Sequence, residues 1–256
     1  MPKHRPENLL ARRLQGVIGG CVQLICLVVC ACAIAGLTIV STAAAGAPRH
    51  VRASQGLAQL LFEHHAHRLA STGSPVVAVL PARSPITGEP TTLPVLRRQA
   101  GHGSRVWLKV MLPGRPNGAT GWIAHGGTSE SETEWHLMIS TASRRVWVYL
   151  GGRLQTTFAA VVGKPSTPTP SGSFFVQETV AMPDTAAGGP YALALSARSD
   201  ALRTFEGGPG QIAIHGRDLL GGTLGQAESH GCVRLDTSSI DWLAARIGPG
   251  VPVTIR

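Results

Sequence analysis

Apolar and polar positions change rhythm along this chain, and the changes divide it. Residues 16–40 are apolar almost without interruption, and no charged side chain stands between Arg13 and Arg49. A run of this length can cross a bilayer as one helix. From 54 to 70, Leu57, Leu60, Leu61 and Leu69 recur at near-helical spacing, which predicts a short amphipathic helix ended by the polar stretch 71–75. The rhythm then shortens. Residues 76–80 form a β-branched run. In 105–110, Val106, Leu108 and Val110 share one face, and a turn at 114–118 leads to another strand at 121–123. A polar joint at 126–132 precedes strands at 135–141, 145–150 and 154–162, the last two joined by a Gly151-Gly152 hairpin turn. A rigid Thr-Pro loop at 167–172 leads into strands at 173–179, 191–196, 211–215, 231–235 and 251–255. One helix interrupts them near 238–247. There Ser238 with Asp241 suggests a capping box, Ile240, Leu243, Ala244 and Ile247 form a buried face, and Gly248-Pro249 is the stop.

The expected organisation is mainly β: a basic cytoplasmic tail (1–15), a transmembrane anchor or signal segment (16–47), a helical stalk (48–74), a small β module (75–125), a linker (126–133) and a larger, mostly-β domain (134–256). An SH3-like barrel is one form the small module can take. Lys3, Arg5, Arg12 and Arg13 precede the apolar segment, which predicts a cytoplasmic N-terminus and a folded part outside. The stretch exceeds a typical signal h-region, so an uncleaved anchor is the first reading. Signal cleavage at Ala43-Ala44-Ala45 or Ala45-Gly46-Ala47, with secretion, is the alternative. The formal net charge of +9 adds little, because the remaining arginines are scattered, as at Arg97-Arg98 and Arg144-Arg145. No basic run, aromatic interleaving, zinc finger or helix-turn-helix signature points to nucleic acid. Such a surface tolerates anionic polymers, as in a bacterial wall. Glu63-His64-His65-Ala66-His67 has no second cluster to converge with. It is read as a solvated helix face rather than a metal site, and His102 and His125 as loop residues.

Cysteine usage carries the chemistry. Cys21, Cys26, Cys30 and Cys32 lie in the apolar N-terminal stretch, which leaves Cys232 alone in the exported part. A lone cysteine there is an intermolecular bridge or a reactive thiol. Cys232 ends Ser229-His230-Gly231-Cys232, and a second histidine stands upstream in Ile214-His215-Gly216. A thiol needs a base or cation beside it to act near neutral pH, and glycine leaves room for substrate and for oxyanion-binding amides. A zinc site, with Asp218, Glu228 or Asp236 as fourth ligand, and an inert buried cysteine are the competing readings. The spacing has no C-x-x-C or H-E-x-x-H, and the flanks of Cys232 are polar and turn-forming, which favours catalysis.

His215-Gly216, followed by Ser229-His230-Gly231-Cys232-Val233-Arg234, resembles the signature of the L,D-transpeptidase family with its YkuD-type catalytic domain. Gly163-Lys164 with 169–174, and the stretch 189–196, resemble the same family, so the resemblance covers about 134–256. The module ending at 114–123 is similar to the small domain that precedes the catalytic one in actinobacterial members. The resemblance implies a β-sandwich with the cysteine facing a cleft, and acyl transfer on peptidoglycan stem peptides, donor and acceptor, that yields 3→3 cross-links. It makes Cys232 the nucleophile and His215 the base, oriented by the carbonyl of Gly216. The amides of His230, Gly231 and Cys232 would hold the oxyanion. Ser229 and His230 would shape the loop and contact substrate. Arg234, where many members carry Asn, and Tyr191, a lid or donor-site candidate, would bind substrate. It further implies inhibition by carbapenem-type β-lactams and a need for neither metal nor cofactor. Hydrolysis by an L,D-carboxypeptidase or endopeptidase, and a non-catalytic wall-binding role, are the alternatives.

Overall fold

The computed structural model describes residues 51–256 apart from His102, Gly103 and Asp184. The basic tail and the apolar segment at 16–47 lie outside the described residues.

The first layer of structure is a seven-stranded antiparallel sheet. It contains β1 (Gln55–Leu60), β2 (His64–His67), β3 (Val76–Leu80), β4 (Thr92–Ala100), β5 (Val106–Met111), β6 (Thr120–Ala124) and β7 (Thr128–Thr133), in the order β3-β2-β6-β5-β4-β1-β7. Two expectations are corrected here. The helix expected at 54–70 is two strands. β1 pairs on one side with β4, Ala58 opposite Leu93, and on the other with β7, Leu57 opposite Ser131. Leu57, Ala58 and Leu60 are buried, whereas Leu61, Phe62 and Leu69 are exposed, so the apparent helical stripe never formed one face. Partners more than 30 positions away supply the backbone hydrogen bonds of β1, and such pairing overrides local propensity. Likewise β2 alternates, with His64 and Ala66 inside and His65 outside. The His64 ring is buried and stacked on Phe62 at 4.8 Å rather than solvated. The segment expected as a linker is β7, a polar edge strand whose Glu130 pairs with Arg98 and His125, each at 2.6 Å. Charge on an exposed edge discourages pairing with other chains.

The second layer is an eight-stranded sheet. Its strands are β8 (Trp135–Ser140), β9 (Arg145–Leu150), β10 (Arg153–Ala159), β12 (Gly172–Ala181), β13 (Tyr191–Arg198), β14 (Gln211–Gly216), β16 (Val233–Leu235) and β17 (Pro252–Ile255), in the order β10-β9-β8-β17-β12-β13-β14-β16. Two short strands, β11 (Val162–Gly163) and β15 (Ala227–Ser229), pair in parallel beside it. β12 pairs with β17 through Gly172–Phe175 and with β13 from Val176 onward, so it belongs to both halves of the sheet. Leu137, Val148 and Val253 from one half, Leu195, Ile214 and Val233 from the other, and Ile240 and Leu243 of helix α1 (Thr237–Ala244) join in one core. The helix is capped two residues earlier than the Ser238–Asp241 spacing suggests. Asp236 is the N-cap, and its carboxylate accepts the Ser239 amide at 2.8 Å.

Strand alternation ties the two sheets together. Phe174 points into the core of the large domain, and its neighbour Phe175 points into the core of the small module. The turn at 114–118 is a polar knob on the same junction. Asn117 donates to the Arg198 carbonyl at 2.8 Å and accepts from the Arg198 amide at 2.9 Å. Arg115 donates to the carbonyls of Ser199 (2.6 Å) and Pro209 (2.9 Å). The wholly buried Glu178 of β12 reaches back, accepting from the amides of Ile86 and Thr87 and from the Thr87 hydroxyl.

Candidate active site

The period of two that builds the core also builds the site. In β14, Ile212 and Ile214 are buried in the core, so Gln211 and His215 fall on the opposite face. In β16, Val233 and Leu235 are buried, which turns Arg234 and the preceding Cys232 the other way. The strands run parallel with His215 opposite Arg234, while β13 sets Ala192 opposite His215. Gln211, His215, Cys232, His230 and Arg234 consequently line one cleft of about 590 Å³, closed by Met182, Phe205, Glu206, Leu220 and Glu228.

The His215 ring is held by backbone. Its Nδ1–H donates to the Gly216 carbonyl at 2.7 Å, which fixes the tautomer and leaves Nε2 as the basic nitrogen. The geometry needs glycine on both sides of the contact. A Cβ on Gly216 would sit 1.9 Å from the Gly189 carbonyl oxygen, and one on Gly188 would sit 2.8 Å from His215 Nδ1. The Gly216 amide donates to the Gly188 carbonyl at 2.9 Å and locks this approach.

The loop before the thiol is equally determined. Ser229 is fully buried. Its hydroxyl donates to the Cys232 carbonyl at 2.6 Å and accepts from the Gly231 amide at 3.1 Å. Ser229 therefore has no surface for substrate and acts in shaping the loop, which corrects its place among the expected substrate contacts. The Gly231 amide is committed to that hydroxyl, so the oxyanion donor expected there is already engaged. Gly231 lies at φ +124°, a conformation other residues rarely adopt. From the Thr-Pro loop, Thr169 donates to the Gly231 carbonyl at 2.8 Å and Thr167 to the Ser229 carbonyl at 3.2 Å. These two threonines support the site, and sequence reading did not single them out for it. Their signal is a polar, proline-stiffened loop that runs into the stretch 169–174, which resembles the L,D-transpeptidase family. Tyr191 does not line this cleft. It packs against the core and borders a separate depression with Pro190, Asp241 and Ala244. Arg234 donates to the carbonyls of Leu220 (3.2 Å) and Gly221 (3.4 Å), so it also holds the loop that overhangs the cleft.

Cys232 is a free, partly exposed thiol. Burial pushes its pKa up. A hydrogen bond from the Ala213 backbone and the charge of Arg234 work against that, and the Glu206 carboxylate adds to it. Burial lowers the pKa of His215. Its bond to Gly216 opposes the change, and the Arg234 charge reinforces it. Both shifts favour the neutral forms, a thiol and an imidazole in one cleft, over a preformed ion pair. Among the described residues no three His, Cys, Asp or Glu side chains come together in a metal-binding group, and His230 stacks instead on Phe205 at 5.6 Å.

Residues 134–255 match the sequence model of the YkuD L,D-transpeptidase catalytic domain. This segment, just under half of the chain, resembles the YkuD family. YkuD of Bacillus subtilis (strain 168) is 29% identical over 125 residues, a match that spans 48% of this chain and 66% of that protein. Among solved structures, a mutant of the Enterococcus faecium L,D-transpeptidase is similar at 23% identity with a TM-score of 0.37, over 48% of this chain and 49% of that one. L,D-transpeptidase 3 from Mycobacterium tuberculosis, solved with a faropenem-derived adduct, is similar at 16% identity and a TM-score of 0.41, over 63% of this chain and 97% of that one. The matched segment contains every residue of the cleft.

Proposed function

We propose that this protein is a peptidoglycan L,D-transpeptidase working through a Cys232 acyl-enzyme. The observation that carries the reading is the placement of Cys232 and His215 in one cleft, with His215 Nδ1 tied to the Gly216 carbonyl so that Nε2 is free to take a proton. In the first step His215 Nε2 removes the thiol proton as Sγ attacks the carbonyl of the third stem residue. The amides of His230 and Cys232 are the donors left for the oxyanion once Gly231 is bonded to Ser229. The C–N bond to the terminal D-Ala breaks, and the imidazolium returns its proton to the leaving amine. In the second step the amine of another stem attacks the thioester, His215 takes a proton from that amine, and the thiol leaves with a proton restored. The product is a 3→3 cross-link.

On the same reading the domain works on the wall side of the cytoplasmic membrane, held there by residues 16–40, and a carbapenem-type β-lactam acylates Cys232 because its ring carbonyl stands in for the scissile amide. The small module, joined to the domain by the Asn117–Arg198 and Glu178–Thr87 contacts, acts as a rigid extension of it. The test is mass spectrometry of muropeptides after incubating the full chain with wall. Wild type should generate 3→3 dimers and Cys232→Ala none. Shortened monomer stems without dimers would show water, not an amine, as the acceptor, and dimers formed by Cys232→Ala would end the reading.

A further inference from the structure

Glu206 stands apart from the other charged side chains of the cleft. Glu228 is taken up by the Thr223 amide at 2.8 Å, and Arg234 by the carbonyls of Leu220 and Gly221. Glu206 lines the same cleft, is exposed, and makes no hydrogen bond or ion pair with any described residue.

Its backbone is built for display. Phe205 and Gly208 exchange both backbone hydrogen bonds, at 3.0 and 2.9 Å, and enclose Glu206 (φ +48°) and Gly207 (φ +78°) in a two-residue turn of type I′ geometry. Asn, Asp and Gly are the residues that take the first of these positions readily, and Glu is uncommon there. The turn is seated from both sides. The Phe205 ring stacks on His230, and Arg115 of the small module fixes the ends of the loop at Ser199 and Pro209. Electrostatically, a carboxylate here works against the nucleophile, since its charge disfavours the Cys232 thiolate. A cation carried by the substrate would offset that cost on binding. Both peptide substrates of the proposed transfer can carry one: the acceptor on its attacking amine, and a diamino-acid donor on its side chain.

We propose that Glu206 is a specificity-determining residue that receives a primary ammonium group of the peptide substrate in the Cys232–His215 cleft. The proposal rests on the transferase reading above.

The test uses the full chain in detergent micelles, as wild type, Glu206→Asn and Glu206→Lys. Asn tolerates the left-handed backbone, so Glu206→Asn removes the charge without adding strain. Alkylation of Cys232 by neutral iodoacetamide should become about threefold faster in Glu206→Asn, as the nearby anion is gone. Two arms then separate the sources of the ammonium. In the donor arm, Cys232 acylation by stem peptides with the side-chain amine free or acetylated is followed by intact mass. In the acceptor arm, KM for the amine is measured at a fixed donor concentration. Loss of about tenfold in one arm for Glu206→Asn, larger for Glu206→Lys and appearing in KM more than in kcat, supports the proposal and names the source. Wild-type values in both arms overturn it while leaving the transferase reading intact. A wild-type Cys232 that no stem peptide acylates overturns both.

Discussion

Glu178→Ala tests the claim that the small module is bonded to the large domain as one body rather than strung before it. Glu178 is fully buried, and its Oε2 accepts from the Ile86 amide (3.2 Å), the Thr87 amide (3.0 Å) and the Thr87 hydroxyl (3.1 Å). Truncation leaves two backbone donors without a partner and opens space for the lost carboxyl. An orphaned buried donor costs roughly 1–3 kcal/mol. Ile86 is 60% exposed, so water can reach part of the turn and the lower end applies. Two donors and a small cavity together give about 3 kcal/mol. For a domain of this size each kcal/mol moves Tm by about 2–4 °C, so calorimetry of the full chain should show a fall of roughly 6–12 °C. Glu178→Gln keeps an oxygen for the turn but puts an NH2 where Oε1 has no partner, so its loss should be smaller, about 1–2 kcal/mol. A Glu178→Ala loss under about 1 kcal/mol, or a Glu178→Gln variant weaker than Glu178→Ala, would refute the bookkeeping.

Three other outcomes follow from the site and its surroundings. Burial lowers the His136 pKa from 6.5 to about 4, its Nε2 bonded to the Thr254 hydroxyl at 2.9 Å. A depressed folded-state pKa gives stability that is present above about pH 6.5 and lost as pH falls toward 4, so His136→Gln should remove about 2 kcal/mol of acid sensitivity when urea melts at pH 7 and pH 4.5 are compared; an unchanged pH dependence would contradict this. Gly216→Ala, whose Cβ would meet the Gly189 oxygen at 1.9 Å, should cost about 1–3 kcal/mol and slow Cys232 acylation by displacing the His215 carbonyl partner, and wild-type acylation rates in that variant would show the close approach to be dispensable. Intact-mass measurement with a carbapenem should give one adduct on wild type and none on Cys232→Ala, and an adduct that persists would place the reactive group elsewhere.

Much of the site was legible in one dimension because a strand's alternation survives in sequence. Ile212 and Ile214 inside, His215 outside, and Val233 and Leu235 inside with Arg234 outside follow from a period of two, and the lone Cys232 in a polar turn marked itself. The run of strands from 135 to 255 was readable for the same reason. What failed was the stretch 54–70. Leucine spacing there imitates a helix, and the true partners of β1, the strands β4 and β7, lie far along the chain. The pairing of Gln55 with Thr133 has no local trace, and β7 is too polar to look like a strand before its neighbour is known. The same limit applied to Ser229, Tyr191 and Glu206. Residue type suggested that the first two touch substrate and left the third unnoticed. The fold buried Ser229 beneath the loop, turned Tyr191 to another depression, and brought Glu206, from a turn some two dozen residues upstream of the thiol, into the cleft. Sequence by itself determined which residues could do the chemistry and which face of each strand they share. Only tertiary structure decided which of them meet, because meeting depends on hydrogen-bond partners and close backbone approaches, such as Gly216 against Gly189, that are set between distant segments.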